Sequence, residues 1–325
     1  MPEINTGIKW VDNSPIYQIT FASDSGYTSS DSIDLSSLGF DKIISINAYG
    51  ADDVPYANNS KWTIASAGGG YSRYIYVDTN NNLRFGSAQR IVFAVTLQYT
   101  KLNYHLPNSN ASDILCSASY EDFINGAQSW GKGSMPVAFN GTGATINTTD
   151  NCVAILGSSY AHIDSVTGEL NTGWTAYFVM RGGSGSYDDG SRYFNTGGWN
   201  ANHDMIAVCI NRQLNMGAWT TDTATGVPAD DFFVVGVSFY RTGDPSVSGP
   251  GKMIVYDPSE GECKIAFDDS IYLTTANLYW GHNPGSYSSS CDMDAKFIGL
   301  VNTAESQETI EANIEYLYNH FISNS

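Results

Sequence analysis

Charge is scarce in this chain, and positive charge is scarcest. Only 15% of the 325 residues are charged, with 15 Lys and Arg against 33 Asp and Glu, for a formal net charge of −18. A field of that sign repels phosphate backbones and anionic headgroups, which excludes nucleic acid and a membrane surface as main partners. Long apolar runs are missing too. No stretch approaches the ~18 consecutive apolar residues that a membrane-crossing helix needs. The opening Met1-Pro2-Glu3-Ile4-Asn5-Thr6 has neither a basic nor an apolar signal segment, so a chain that is not exported by the conventional route is expected. Cysteine is sparse and scattered: Cys116, Cys152, Cys209, Cys263 and Cys291 are odd in number and none has CxxC spacing. Buried thiols in a reducing compartment follow, with Cys209 a small core residue. The sequons at Asn58, Asn110, Asn140 and Asn147 then go unused.

Several chemistries lack their residues. The five histidines, His105, His162, His203, His282 and His320, show no pair at metal-ligand spacing. Gly68-Gly69-Gly70 and Gly182-Gly183 lack the lysine and the parallel βαβ unit of a phosphate loop. No Ser/His/Asp or Cys/His set stands out, and no heptad stretch is present, so any oligomer forms through β surfaces.

What the chain has in abundance is turn formers and strand formers. Hydrophobic residues make up 42%, and 32 Gly and 21 Tyr accompany many Ser, Thr and Asn, which specifies a folded all-β chain with many turns. Residues 1–101 read as a small antiparallel β-sandwich. Its strands are Ile16–Phe21, Lys42–Ala48, Tyr71–Val77 and Leu83–Gly86, with a turn at Asp78–Asn82. In Arg90–Tyr99, the large apolar Ile91, Phe93, Val95, Leu97 and Tyr99 alternate with Val92, Ala94, Thr96 and Gln98, so one face is buried. Residues 102–133 read as an extended connector, with one helical turn in Ser119–Gln128. In residues 134–325, Trp174–Met180 reads as a buried strand, and Asp204–Ile210 with Leu214–Trp219 as a hairpin. The end of the chain changes period. After strands at Asn277–Gly281 and Asp294–Val301, Ile310, Ile314, Leu317 and Phe321 recur at three- and four-residue steps between glutamates, giving an amphipathic helix over Thr303–Phe321. Thr303 or Ser306 can cap it.

Two resemblances rest on these segments. Ser134–Gly143, Val227–Phe239, Met253–Asp257 and the closing strand–turn–helix resemble the signposts of a concanavalin A-like (laminin-G-like) jelly roll, over residues 134–325. Trp10-Val11-Asp12-Asn13-Ser14-Pro15-Ile16-Tyr17 resembles the Trp-x-Asp-Gly-Lys-Pro-Ile-Tyr opening of many phage tail-fibre and baseplate-associated proteins. Val95-Thr96-Leu97-Gln98-Tyr99-Thr100-Lys101 resembles the ending that accompanies it. Asn13-Ser14 stands where that family has Gly-Lys, a change a turn tolerates.

Together they imply a phage virion protein, a tail or head fibre assembled in the host cytoplasm. The first domain attaches to the particle or organises the oligomer, and the outward jelly roll recognises host-surface glycans. A homotrimer and contacts with other virion structural proteins are expected from the resemblance. The alternatives are a purely structural capsid or tail decoration component that binds no sugar, and a polysaccharide-degrading enzyme.

The jelly-roll glucanases set two carboxylates on one strand as Glu-x-Asp-x-Glu, since alternate residues share a face. Here only Glu260-Gly261-Glu262 and Asp292-Met293-Asp294 come near, and no catalytic set is assigned. Aromatic and amide side chains in Gly-rich loops suit sugar contact: Tyr193, Trp199, Asn200, Asn202 and His203 in one group, His282 and Tyr287 in another. Trp174 and Trp280 read as core residues. No cofactor is required, and calcium is the one metal that loop acids could take, at Asp188, Asp189, Asp292 or Asp294.

Overall fold

Antiparallel strands with one apolar face must stack in pairs of sheets, and both parts of this chain do so. The computed structural model describes the chain apart from residues 1–2, 11–14, 36–37, 51–55, 59–74, 86–91, 102–104, 126, 141–143, 156–159, 165–172, 183–191, 196–204, 211–212, 217–222, 240–248, 272–277, 282–291 and 324–325. It divides into two units, Met1–Tyr104 and His105–Ser325.

The first unit is all β. Its strands are β1 (Ile4–Lys9), β2 (Pro15–Tyr27), β3 (Ser32–Asp34), β4 (Phe40–Gly50), β5 (Tyr56–Asn58), β6 (Ile75–Val77), β7 (Asn82–Phe85) and β8 (Val92–Lys101). They form a five-stranded sheet, β1-β2-β8-β4-β5, and a three-stranded one, β3-β7-β6. The alternation read in β8 is realised over Val95–Tyr99, where Val95, Leu97 and Tyr99 are buried and pack with Ile46, Ile75, Val77, Leu83 and Phe85 in one core; Val92, read on the other face, joins that core. The strands that carry the two ends of the fibre-like motif are neighbours, with Tyr17 opposite Tyr99 and Gln18 opposite Gln98. Asp78 closes the β6–β7 turn, accepting from the backbone N–H of Asn80 and Asn82 and from Arg84 Nε at 2.8 Å. Asn81 follows in the left-handed region, at φ 61°.

Among the described residues, the second unit holds β9 (Ile114–Ser119), β10 (Ser129–Trp130), β11 (Val137–Asn140), β12 (Ala144–Asn147), β13 (Cys152–Ile155), β14 (Tyr160–Ile163), β15 (Trp174–Gly182), β16 (Arg192–Asn195), β17 (Met205–Ile210), β18 (Gln213–Met216), β19 (Thr223–Pro228), β20 (Phe233–Phe239), β21 (Gly249–Asp257), β22 (Glu262–Ile271), β23 (Leu278–Trp280), β24 (Met293–Val301) and one α-helix, α1 (Gln307–Tyr318). Two eight-stranded antiparallel sheets face each other as a jelly-roll-like sandwich. One runs β10-β11-β14-β23-β16-β17-β18-β19. The other runs β12-β13-β24-β15-β20-β21-β22, with β9 on the same edge of β24 as β13. Trp174, Phe178, Phe194 and Trp280 fill the space between the sheets, with ring centroids 5.1–6.4 Å apart.

β9 departs from the expected connector. Residues 114–119 are buried throughout and pair with Phe297–Val301. Their cysteine and serines interrupt the aliphatic pattern, and the strand escapes notice because both of its faces are covered. Lys132 forms a bridge with Ser117, and Gly133, at φ +111°, crosses so close that a Cβ there would lie 2.3 Å from the Leu115 carbonyl oxygen. The helical turn read in Ser119–Gln128 is a short 3₁₀ segment, Tyr120–Asp122, capped by Ser119.

Helix α1 starts at Ser306, whose hydroxyl accepts from the Thr309 N–H, and continues as a wider turn through Asn319–Ser323. Ile310, Ile314, Leu317 and Phe321 are buried, as the three- and four-residue spacing predicts. The stripe lies on the outer face of the second sheet, over β15, β20, β21 and β22. Gly236 in β20 makes the approach possible: a Cβ there would sit 2.5 Å from Ile310 Cγ2.

Candidate functional site

The outer face of the first large sheet collects the chemistry. Strand alternation sends Ala161 and Ile163 of β14, Leu278 and Trp280 of β23, and Val137 and Phe139 of β11 into the core. The intervening residues therefore share the opposite face. The register sets Ala138, His162 and Tyr279 in one row across three strands, with Asn140 beside Tyr160 in the next. Tyr160, His162 and Tyr279 form an aromatic triangle, with centroids 5.4, 5.7 and 6.2 Å apart. Tyr279 is buried and stacks on His162 at 24°, while Tyr160 meets it edge-on. Tyr160 and His162 are half-buried, and Asn140 is exposed. The Asn140 amide donates to the Tyr160 hydroxyl. His162 Nδ1 lies 2.9 Å from Asp164 Oδ1, and the Asp164 side chain is 56% exposed.

This patch was legible but missed. Tyr160-Ala161-His162-Ile163-Asp164 alternates polar and apolar residues with period two, the same logic that places the glucanase carboxylates on one face. His162, read as isolated, is paired two residues on.

The expected contact residues fare differently. Tyr193 is no loop residue: it lies in β16, is fully buried, and packs edge-on against Phe233 with centroids 5.3 Å apart. The Gly- and Asp-rich residues before it suggested a loop, but the pairing of β16 with β17 and β23 draws it into the core. Trp199, Asn200, Asn202, His203, His282 and Tyr287 lie outside the described residues. The strands that precede them are described. β16 reaches Asn195 opposite Tyr279, and β23 reaches Trp280 opposite Phe194. Trp174 and Trp280 are core residues, as read.

The acidic candidates resolve in part. Asp188 and Asp189 lie outside the described residues, and Asp292, half-buried, directly precedes β24. Asp294 is already held by a cation. Arg181 Nε and Nη2 donate to its Oδ2 at 2.9 and 2.8 Å, and the same Nη2 donates to Asp150 Oδ2 at 2.6 Å. A carboxylate fixed in this way is an ion-pair partner. The Arg181 hydrogen bond lowers the Asp150 pKa, while burial pulls Arg181 down and the bonds to Asp294 and Asp150 more than restore it. Lys296, its pKa lowered by burial, donates to the Phe321 carbonyl at 2.8 Å, and both cations lie over the Phe232 ring at 4.5–4.6 Å. Burial, with the Asp294 charge, pushes the Cys152 thiol beside them up to about 12, so it stays protonated. The cluster ties the end of α1 to the sheet. Among the described residues, no group of three or more His, Cys, Asp or Glu side chains could hold a metal ion. Glu260 and Glu262 are exposed, in the turn and at the start of edge strand β22. Cys116, Cys152 and Cys263 carry free thiols, the first two buried, and the side chains of Cys209 and Cys291 lie outside the described set.

No family model matches the chain, and no curated protein matches it in sequence. Among solved structures it is similar to domain 4 of the extracellular arabinanase AbnA from Geobacillus stearothermophilus, in complex with arabinotriose. That match has 11% identity and a TM-score of 0.42, over 62% of this chain and 98% of that one. It is similar to botulinum neurotoxin type C, whose cell entry depends on two ganglioside molecules, at 11% identity and TM-score 0.41, over 65% of this chain and 51% of that one. It is also similar to Trypanosoma rangeli sialidase in complex with sialic acid, at 11% identity and TM-score 0.45, over 98% of this chain and 53% of that one. The chain thus spans about half the length of the toxin and sialidase chains.

Proposed function

We propose that this chain is a glycan-recognition protein of a phage virion, and that its sugar-binding surface is the Asn140–Tyr160–His162–Asp164–Tyr279 patch. One observation carries the binding part. A partly exposed tyrosine and histidine pack against a buried aromatic ring, and an amide and a carboxylate stand at their margin. Sugars offer C–H faces to aromatic rings and hydroxyls to amides and carboxylates, and rigid aromatic contacts cost little ordering entropy. Trp199, Asn200, Asn202, His203, His282 and Tyr287, which lie outside the described residues, are proposed as further sugar contacts. The virion part rests on the resemblance of Trp10–Tyr17 and Val95–Lys101 to fibre proteins, supported by the pairing of Tyr17 with Tyr99. On this reading the first unit attaches to the particle within a homotrimer, among other virion structural proteins.

The test uses the full chain. Saturable binding to host cells and to a glycan array, measured with and without calcium, should fall at least about tenfold in Tyr160→Ala and His162→Ala, with folding retained. Folded wild-type protein that binds no cell and no glycan would instead favour a structural decoration component. Release of reducing ends from host polysaccharide would establish an enzyme. Sedimentation of the full chain checks the trimer.

A further inference from the structure

The patch also specifies what kind of sugar it takes, an inference that rests on the proposed binding surface. An ionised carboxylate only accepts hydrogen bonds, so the 2.9 Å contact with Asp164 places the proton of His162 on Nδ1. The other ring nitrogen, Nε2, is left for a ligand. Asp164 keeps acceptor capacity beyond this contact, and more than half of its side chain faces solvent. The Asn140 amide N–H₂ already donates to the Tyr160 hydroxyl. Asp164 therefore sets a formal negative charge at the margin, on a chain of net charge −18. A sialic acid or uronic acid would bring a carboxylate against Asp164 in this negative field, and like charges set together cost binding directly. A hexose brings several O–H donors and no charge.

We infer that the patch takes an uncharged, hydroxyl-rich sugar residue, with its C–H face on Tyr160 and hydroxyl groups hydrogen-bonded to Asp164 and His162. Asp164 is the residue that rejects acidic sugars.

The experiment compares wild-type full chain with Asp164→Asn on an array of matched glycans, ending in a neutral hexose, in sialic acid or in a uronic acid. Wild type should prefer the neutral set by about tenfold or more, and Asp164→Asn should weaken neutral binding and bring the preference within about threefold. Because Asp164 is exposed, the variant should fold, and its circular dichroism spectrum and melting temperature check this. A second variant, Tyr160→Ala, should lower binding to neutral glycans without changing the preference. Wild-type binding to acidic glycans as tight as to neutral ones, or an unchanged preference in Asp164→Asn, overturns the sugar class while leaving the surface standing. A folded wild type that binds nothing on the array overturns the surface and the sugar class together.

Discussion

Asp257 ends β21 by accepting from the backbone N–H of Ser259 at 2.9 Å, from the Ser259 hydroxyl at 2.6 Å and from Lys264 Nζ at 2.5 Å. These bonds, with Lys264 first, hold its carboxyl down at about 2. An unfolded aspartate titrates at ~3.9, so the unfolded chain takes up the proton first as the pH falls. The stability drawn from this carboxylate is whole above about pH 4 and is lost as the pH falls toward 2. Asp257→Asn should be less stable at neutral pH, and its stability should fall less steeply than wild type between those limits. Urea titrations across that range check this, and parallel acid limbs would refute it. Asp78, held down to about 2 chiefly by Arg84, plays the same part in the first unit. The Asp78 turn stood out in the sequence, because Asp-Thr-Asn-Asn is a turn-forming run with a mechanism. The proposed patch was equally legible from the period-two run Tyr160–Asp164. It was passed over because sugar contacts were sought in Gly-rich loops, and His162 was weighed only for metal spacing. Tyr193 failed in the opposite way, since local glycines outweighed strand pairings that lie far away in sequence.

The closing helix shows how an element can be read correctly on its apolar stripe and incompletely on its polar one. Asn313 falls in the stripe between Ile310 and Ile314, and it is fully buried. Its Oδ1 accepts from the backbone and side-chain nitrogens of Asn108, at 3.1 and 3.3 Å. Its Nδ2 donates to Ser109 Oγ at 2.9 Å and to the Tyr177 hydroxyl at 3.2 Å. Tyr177 in turn donates to Glu305, whose pKa burial raises. Asn313→Ala would strand several of these groups, at roughly 1–3 kcal/mol for each buried partner left unsatisfied. A lowered melting temperature is therefore expected without loss of helix content. An unchanged melting temperature would show that water replaces the amide. β24 has a similar gap between pattern and fold. A bulge opposite Val179 and Met180 sends both Lys296 and Phe297 to the helix side, while Ala295 and Ile298 stay in the core. Strict alternation cannot foresee that. Lys296 reaches the Phe321 carbonyl and Phe297 stacks near Phe321 because of it.

At the scale of the whole molecule, the all-β class and its single closing helix followed from composition and period, because both depend on short-range spacing. The start of the second unit did not, because it depends on a pairing between Cys116 and Leu300 that sequence spacing leaves open. A piece starting at residue 134 would lose β9 and β10, with Leu106, Ile114, Phe123 and Trp130, all buried. Truncating one buried aromatic side chain alone costs about 3–5 kcal/mol, and a domain has only about 5–15 kcal/mol to lose. It would also expose the backbone edge of β24 that β9 covers, an invitation to aggregate. Residues 134–325 should therefore be insoluble or lack a cooperative melt, whereas residues 105–325 should melt as one transition. Equal, cooperative melting of the two pieces would mean that β9 is dispensable to the sandwich, and the boundary would return to the glycine-rich crossing at Gly133.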